Sequence, residues 1–157
     1  AIVEYLLQNY GKNSSLVIPE TGSQQERDYL YWLHFSEGSL MPPLLLRLIF
    51  ERVKKARVPF FVKPITKAVA DKVLIEYVNP NINRLLDFIE ASLKGKNWFL
   101  GDQLSGADIQ MSFPLETSLA RGLVNEHYTC IQSYVERIHE QPGYQAALKK
   151  GGKYDYI

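Results

Sequence analysis

FLGDQLSGADI, residues 99–109, is the stretch that decides the fold. Ser105 is a favoured N-cap residue, and its hydroxyl is placed to accept from the amide of Asp108. The Asp108 carboxylate reaches back to the amide of Ser105 and closes a capping box. Leu104 before the cap and Ile109 inside the helix have the spacing of a hydrophobic staple. A cap of this kind is worth roughly 0.5–2 kcal/mol, a sizeable part of a folding free energy of about 5–15 kcal/mol. Alone, the motif says only that a helix begins here. What that helix packs against is set by the sequence on either side.

Downstream, SGADIQMSFPLETSLARG is a helix bounded by Ser105 and Gly122. HYTCIQSYVERIHEQPG then sets Ile131, Tyr134, Val135 and Ile138 on one face and stops at Pro142-Gly143. YQAALKK forms a last short helix, and the tail GGKYDYI either folds back or extends, with nothing in the sequence to decide. Upstream, WFLGDQ reads as a turn into the core. Before it, Ile82, Leu85, Leu86, Ile89 and Leu93 form an apolar stripe on a helix that Lys94-Gly95 ends. Asn79-Pro80 either caps the start of that helix or kinks a longer one beginning near Ala70. Residues 54–70, KKARVPFFVKPITKAVA, hold five basic residues and no acid, and they read as an exposed loop with a short turn of helix. From about Gln24 to Val53 the chain is apolar around nearly a whole helical circumference, so this helix is expected to be buried on more than one side. Pro42 and Pro43 put a kink in it rather than an end. With no strand-like alternation and no internal repeat, the fold class is an all-α helical bundle.

The bulk numbers agree. A chain of 157 residues, 46% hydrophobic and 22% charged, is long and apolar enough to bury a core without staples. Eighteen basic against 17 acidic residues leave a formal charge of +1, which gives no field to recruit nucleic acid. The single cysteine, Cys130, excludes an internal disulfide and fits a reducing compartment. It reads as a buried, inert thiol. His127 and His139 stand at no metal-ligand spacing, so no metal is expected. The longest apolar tract, residues 40–50, carries Arg47 and two prolines and is far short of the ~20 residues of a membrane span.

In order, YWLHFSEGSL, INRLLDFIEASL, FLGDQLSGADI and YVERIHEQPGYQAAL resemble the C-terminal helical domain of cytosolic glutathione transferases. That domain has a long interface helix, a second long helix, a "GDQLSxAD" helix start and a closing helix with a Pro-Gly turn. The resemblance covers nearly all of residues 23–150. AIVEYLL resembles the last helix of the thioredoxin-like domain that comes first in that family. The implied organisation is residues 1–10 as that last helix, 11–22 (rich in Ser, Gly and Pro) as a linker, and 23–157 as the helical domain. The Glu-Ser pair that holds the γ-glutamyl end of glutathione would then sit just upstream of Ala1, and the thiol-activating residue further upstream. No catalytic residue is expected in this chain, and the fragment alone should not conjugate. The resemblance implies a cytoplasmic, homodimeric detoxification enzyme with glutathione as co-substrate and small hydrophobic electrophiles as partners. A rival reading is a non-catalytic, transferase-like protein-interaction module, since fold alone does not fix function.

What the helical domain should supply is a wall for the electrophile and a subunit interface. On the long helix, His34, Glu37, Gly38 and Met41 recur at i, i+3, i+4 and i+7 and are expected to share one face. Gly38 costs about 1 kcal/mol in a helix relative to Ala, which points to a close approach there. Pro42 and Pro43 lack amide hydrogens, so the carbonyls of Gly38 and Ser39 lose their helical donors. His34, Glu37, Gly38, Ser39 and Met41 are therefore expected to line the cleft or the interface. In the bacterial beta class a His-Lys pair would stand where this chain has Met41 and Pro42, so the resemblance implies a Ser- or Tyr-type enzyme instead. The aromatics Tyr29, Tyr31, Trp32 and Phe35 are expected mostly in the core or interface, with stacking on a substrate ring as the alternative for one of them. The basic loop with Phe60-Phe61 reads as a solvated cover of the cleft, with acidic lipid or an acidic partner as its other use.

Overall fold

The computed structural model describes residues 2–11 and 14–154; the last three residues of the tail lie outside these. Among the described residues the helices are α1 (Ile2–Tyr10), α2 (Gln24–Phe35), α3 (Met41–Lys54), α4 (Lys63–Val73), α5 (Asn79–Leu93), α6 (Gly106–Ala120), α7 (Thr129–His139) and α8 (Pro142–Gly151). There is no strand among them, and the all-α fold class stands.

The helix ends follow from their caps. Ser23 begins α2: its hydroxyl accepts from the Glu26 amide at 3.0 Å, and the Glu26 carboxylate accepts from the Gly22 amide at 2.6 Å. At α6 the capping box forms as the sequence implies. Asp108, fully buried, accepts from the amides of Phe99 (2.9 Å) and Ser105 (2.8 Å) and from the Ser105 hydroxyl (2.6 Å). Burial raises the Asp108 carboxyl above its ordinary pKa, and the hydrogen bonds from Ser105 and Phe99 only partly oppose it. Leu104 packs against the core, but Ile109 is largely exposed on the outer side of α6.

Prolines shape the two long helical runs. Between α2 and α3 lies a π-helical turn, Ser36–Leu40, in which the Met41 amide donates to the Ser36 carbonyl. Between α4 and α5 lies another, Leu74–Val78, in which the Asn79 amide donates to the Leu74 carbonyl. In both, the closing donor is the last amide before a proline, Pro42 or Pro80. A proline ring clashes with the carbonyl four residues back, and a wider turn gives that carbonyl room. The helical path thus passes through both proline sites. The expectation of a mostly exposed loop over 54–70 needs correction, because α4 already starts at Lys63, with Pro64 in its first turn where a missing amide hydrogen costs nothing.

The core lies where α5, α6 and α7 meet α2 and α3. Ile82, Leu86, Ile89 and Leu93 of α5 and Ile131, Tyr134, Val135 and Ile138 of α7 are buried. Trp32 of α2 packs on Phe99 at 4.4 Å, and Phe99 on Tyr134 at 5.2 Å. The helix α6 contacts α1, α2, α3 and α7. Its nearly buried Glu116 binds His139 at 2.7 Å and the Tyr154 hydroxyl at 2.8 Å. The described part of the tail therefore folds back onto α6.

Candidate functional site: an open groove along α2

Arg27, Leu30, Tyr31, His34, Phe35, Gly38 and Ser39 line an open groove of about 470 Å³. Residues 27, 30, 31, 34 and 38 follow the i, i+3, i+4, i+7, i+11 pattern of a single helix face, so the groove is a direct product of α2 and the π turn after it. Tyr31 and Phe35 lie 5.7 Å apart between ring centres and give it an aromatic floor. Arg27 is fixed at one end: its guanidinium donates to the Gln24 side chain at 2.8 and 3.1 Å and to the Gly22 carbonyl at 3.1 Å.

Of the residues expected here, the structure brings together His34, Gly38 and Ser39 and separates two others. Glu37 turns to α6, where it accepts from the Gln110 side chain at 2.8 Å, and Met41 packs against the core. α-Helical spacing carries the face from Arg27 to Gly38, and the π turn, which closes at Met41, offsets the face only from there on. Nor does anything among the described residues approach Gly38 closely: a Cβ there would meet no atom within 4 Å. Its missing side chain leaves the groove open. Arg27 was not among the expected lining residues, and Tyr31 was one of four aromatics of which at most one was expected to stack on a substrate ring. The two stand seven and three residues before His34, and that spacing alone was enough to find them.

Chemically the groove is a binding surface. Its lining holds no carboxylate and no thiol. The aromatic floor suits a flat apolar group, and Arg27 and His34 at the edge suit an electron-rich or anionic substituent. Cys130 stands elsewhere, partly exposed, in α7. There the Glu90 carboxylate of α5 accepts from the amides of Cys130 (2.8 Å) and Ile131 (3.0 Å). Burial, then the Glu90 side chain, pushes the thiol pKa up, as an unreactive cysteine requires.

A second pocket of about 260 Å³ lies between α1, the 17–21 segment and α2. On its inner side α1 is seated tightly: a Cβ on Gly106 would come within 2.6 Å of Leu7 and 2.7 Å of the Tyr29 hydroxyl. The outward side of α1 is apolar and bare, with Ile2 77% and Tyr10 72% exposed.

The architecture and the groove together define an all-helical domain with an open, aromatic-floored groove along α2 and exposed apolar residues on its first helix. The family model of the glutathione S-transferase C-terminal domain matches residues 49–142. Glutathione S-transferase 1 of Saccharomyces cerevisiae is 32% identical over 151 residues, covering 95% of this chain and 64% of that protein. Glutathione S-transferase 3 of Schizosaccharomyces pombe is 27% identical over 150 residues, covering 96% of this chain and 61% of that protein. A solved glutathione S-transferase from Actinobacillus pleuropneumoniae superposes with a TM-score of 0.70 at 30% identity, over 95% of this chain and 60% of its own. A glutathione transferase from Phanerochaete chrysosporium, solved with oxidized glutathione, shares the fold with a TM-score of 0.71 at 18% identity, over 95% of this chain and 63% of its own. The chain belongs to the glutathione S-transferase C-terminal domain family. It spans 64% and 61% of the two curated relatives.

Proposed function

We propose that this chain is the electrophile-binding half of a glutathione transferase, in which the α2 groove forms one wall of the pocket. The single observation that carries the reading is the groove itself: an aromatic floor, a cationic end and the open space at Gly38, all on one helix face. In this reading a thioredoxin-like domain packs on the bare side of α1, residues 11–22 link the two, and that domain holds glutathione and lowers its thiol pKa. The thiolate then forms a carbon–sulfur bond to the electrophilic carbon of a molecule lying on Tyr31 and Phe35, as the carbon–halogen bond of an aryl chloride breaks and chloride leaves to solvent. The work of this chain is positioning, which raises the effective concentration of the electrophile at the sulfur. The exposed apolar residues Leu45 and Ile49 of α3 support pairing of two copies into a homodimer. No helix among the described residues is long and apolar enough to cross a membrane, and the proposed setting is the cytoplasm.

The test uses the full-length protein with Ser39→Trp, which fills the groove beside Gly38. KM for a chloronitrobenzene electrophile should rise on the order of tenfold, a loss of about 1.4 kcal/mol of binding, while KM for glutathione holds. Unchanged electrophile KM refutes the groove assignment. The present chain alone should show no conjugation above the uncatalysed rate. Full-length protein without any transferase activity would favour the interaction-module reading.

A further inference from the structure

The loop between α3 and α4 carries a surface none of whose residues lines the α2 groove. Phe60 and Phe61 pack edge to face, 5.6 Å between ring centres, yet are 87% and 66% exposed. The helices on either side pack against each other, so the loop is the tip of a helical hairpin and the two rings stand at its end. On α4, Ile65, Ala68, Val69 and Lys72 fall at i, i+3, i+4 and i+7, and all four are exposed, continuing the apolar surface from the tip along one helix face. Around it stand Lys55, Arg57, Lys63 and Lys67, all exposed, and no acid occurs from residue 54 to 70. The nearest acid, Asp71, is engaged by Lys54 at 2.7 Å.

We propose that this tip docks on an anionic phospholipid bilayer. A bilayer interface takes aromatic rings at headgroup depth and lipid phosphates beside cations, and it needs no shape complement. A protruding apolar pair within a ring of cations matches that chemistry, while an acidic soluble protein would leave both phenyl rings wet. Clustered cations close to such a surface each strengthen binding severalfold, and the effect falls with salt. The contact is peripheral, because only side chains at a loop and one helix face take part.

Co-sedimentation of the full chain with phosphatidylcholine vesicles, with and without phosphatidylserine, tests this. Binding is expected to the phosphatidylserine vesicles, to weaken with added salt, and to fall on the order of tenfold or more in Phe60→Ser/Phe61→Ser and in Arg57→Gln/Lys63→Gln. These side chains are exposed, so circular dichroism and the melting midpoint should match the parent and exclude misfolding as the cause. Absence of binding, equal binding to neutral vesicles, or variants that bind as the parent does would overturn the proposal. So would binding to poly-glutamate in preference to vesicles, or a Phe60→Ser/Phe61→Ser variant that turns a dimer into a monomer in sedimentation equilibrium, which would assign the surface to self-association.

Discussion

Removing the Ser36 hydroxyl should destabilise the fold through a carbonyl far away in sequence. Pro114 stands inside α6 and has no amide hydrogen, so the Gln110 carbonyl four residues back has no α-helical donor. Ser36, fully buried, donates to that carbonyl at 2.9 Å. Ser36→Ala deletes one oxygen, too little to open a cavity, and takes the donor from a part-buried acceptor between two packed helices. The expected cost is about 1–3 kcal/mol, read by urea unfolding with the fluorescence of the buried Trp32 and Trp98. The decisive comparison is a double-mutant cycle with Pro114→Ala. An alanine there supplies the missing amide, the Gln110 carbonyl regains its helical bond, and the Ser36 hydroxyl becomes redundant. Ser36→Ala should then cost about 1 kcal/mol less than in the parent background. Equal costs in the two backgrounds would refute this account of Ser36.

Asp108→Ala strands the Phe99 and Ser105 amides and should cost about 2–6 kcal/mol by the same measurement, at about 1–3 kcal/mol for each buried donor. Because burial raises the Asp108 pKa above 3.8, the folded state holds its proton more tightly than the unfolded chain, so this group's contribution to stability falls as pH rises through that window. The stability gap between the parent and Asp108→Asn should therefore narrow as pH rises above the ordinary carboxyl value of 3.8, and a widening gap would reverse the sign. Gly106→Ala drives a methyl into Leu7 and Tyr29; a cost of about 1–3 kcal/mol and faster amide exchange in α1 are expected, with α5 and α7 still protected. Gly38→Ala meets open space and should stabilise by about 0.5–1 kcal/mol through the lost backbone freedom of glycine, seen as a higher melting midpoint. Cys130, its thiol pKa raised by burial and Glu90, should react with iodoacetamide at neutral pH more slowly than a free cysteine peptide, and Glu90→Gln should speed it.

Local patterns made much of this fold legible. The α5 stripe Ile82, Leu86, Ile89 and Leu93 and the Ser105–Asp108 box each lie within a few turns of one helix, where spacing determines what faces what. The start of α4 was also on the page, in Pro64, but the density of basic residues around it suggested a loop. The candidate groove was half legible: His34, Gly38 and Ser39 line it, and Arg27 and Tyr31 followed from the same periodicity. Glu37 is drawn to the Gln110 side chain and Met41 packs against the core, tertiary contacts that spacing along one helix does not reveal. The Ser36–Gln110 bond joins residues 74 apart, and nothing near either one announces the other.

Prolines inside the helical runs pose two problems, a ring that crowds the carbonyl four residues back and a carbonyl without its amide donor, and the molecule meets each in its own way. Pro42 and Pro80 follow π turns that widen the helix before the ring, whereas at Pro114 a serine from another helix supplies the donor. The first π turn connects the two solutions. It holds Ser36 against the Gln110 carbonyl and Glu37 against the Gln110 side chain, while Gly38 and Ser39 remain at the groove. Within four consecutive residues, one side of the turn binds α2 to α6 and the other shapes the surface assigned to the electrophile. The position of that surface therefore depends on how α2 sits on α6, so a substitution at Ser36 or Gln110, outside the groove lining, should move electrophile binding along with stability.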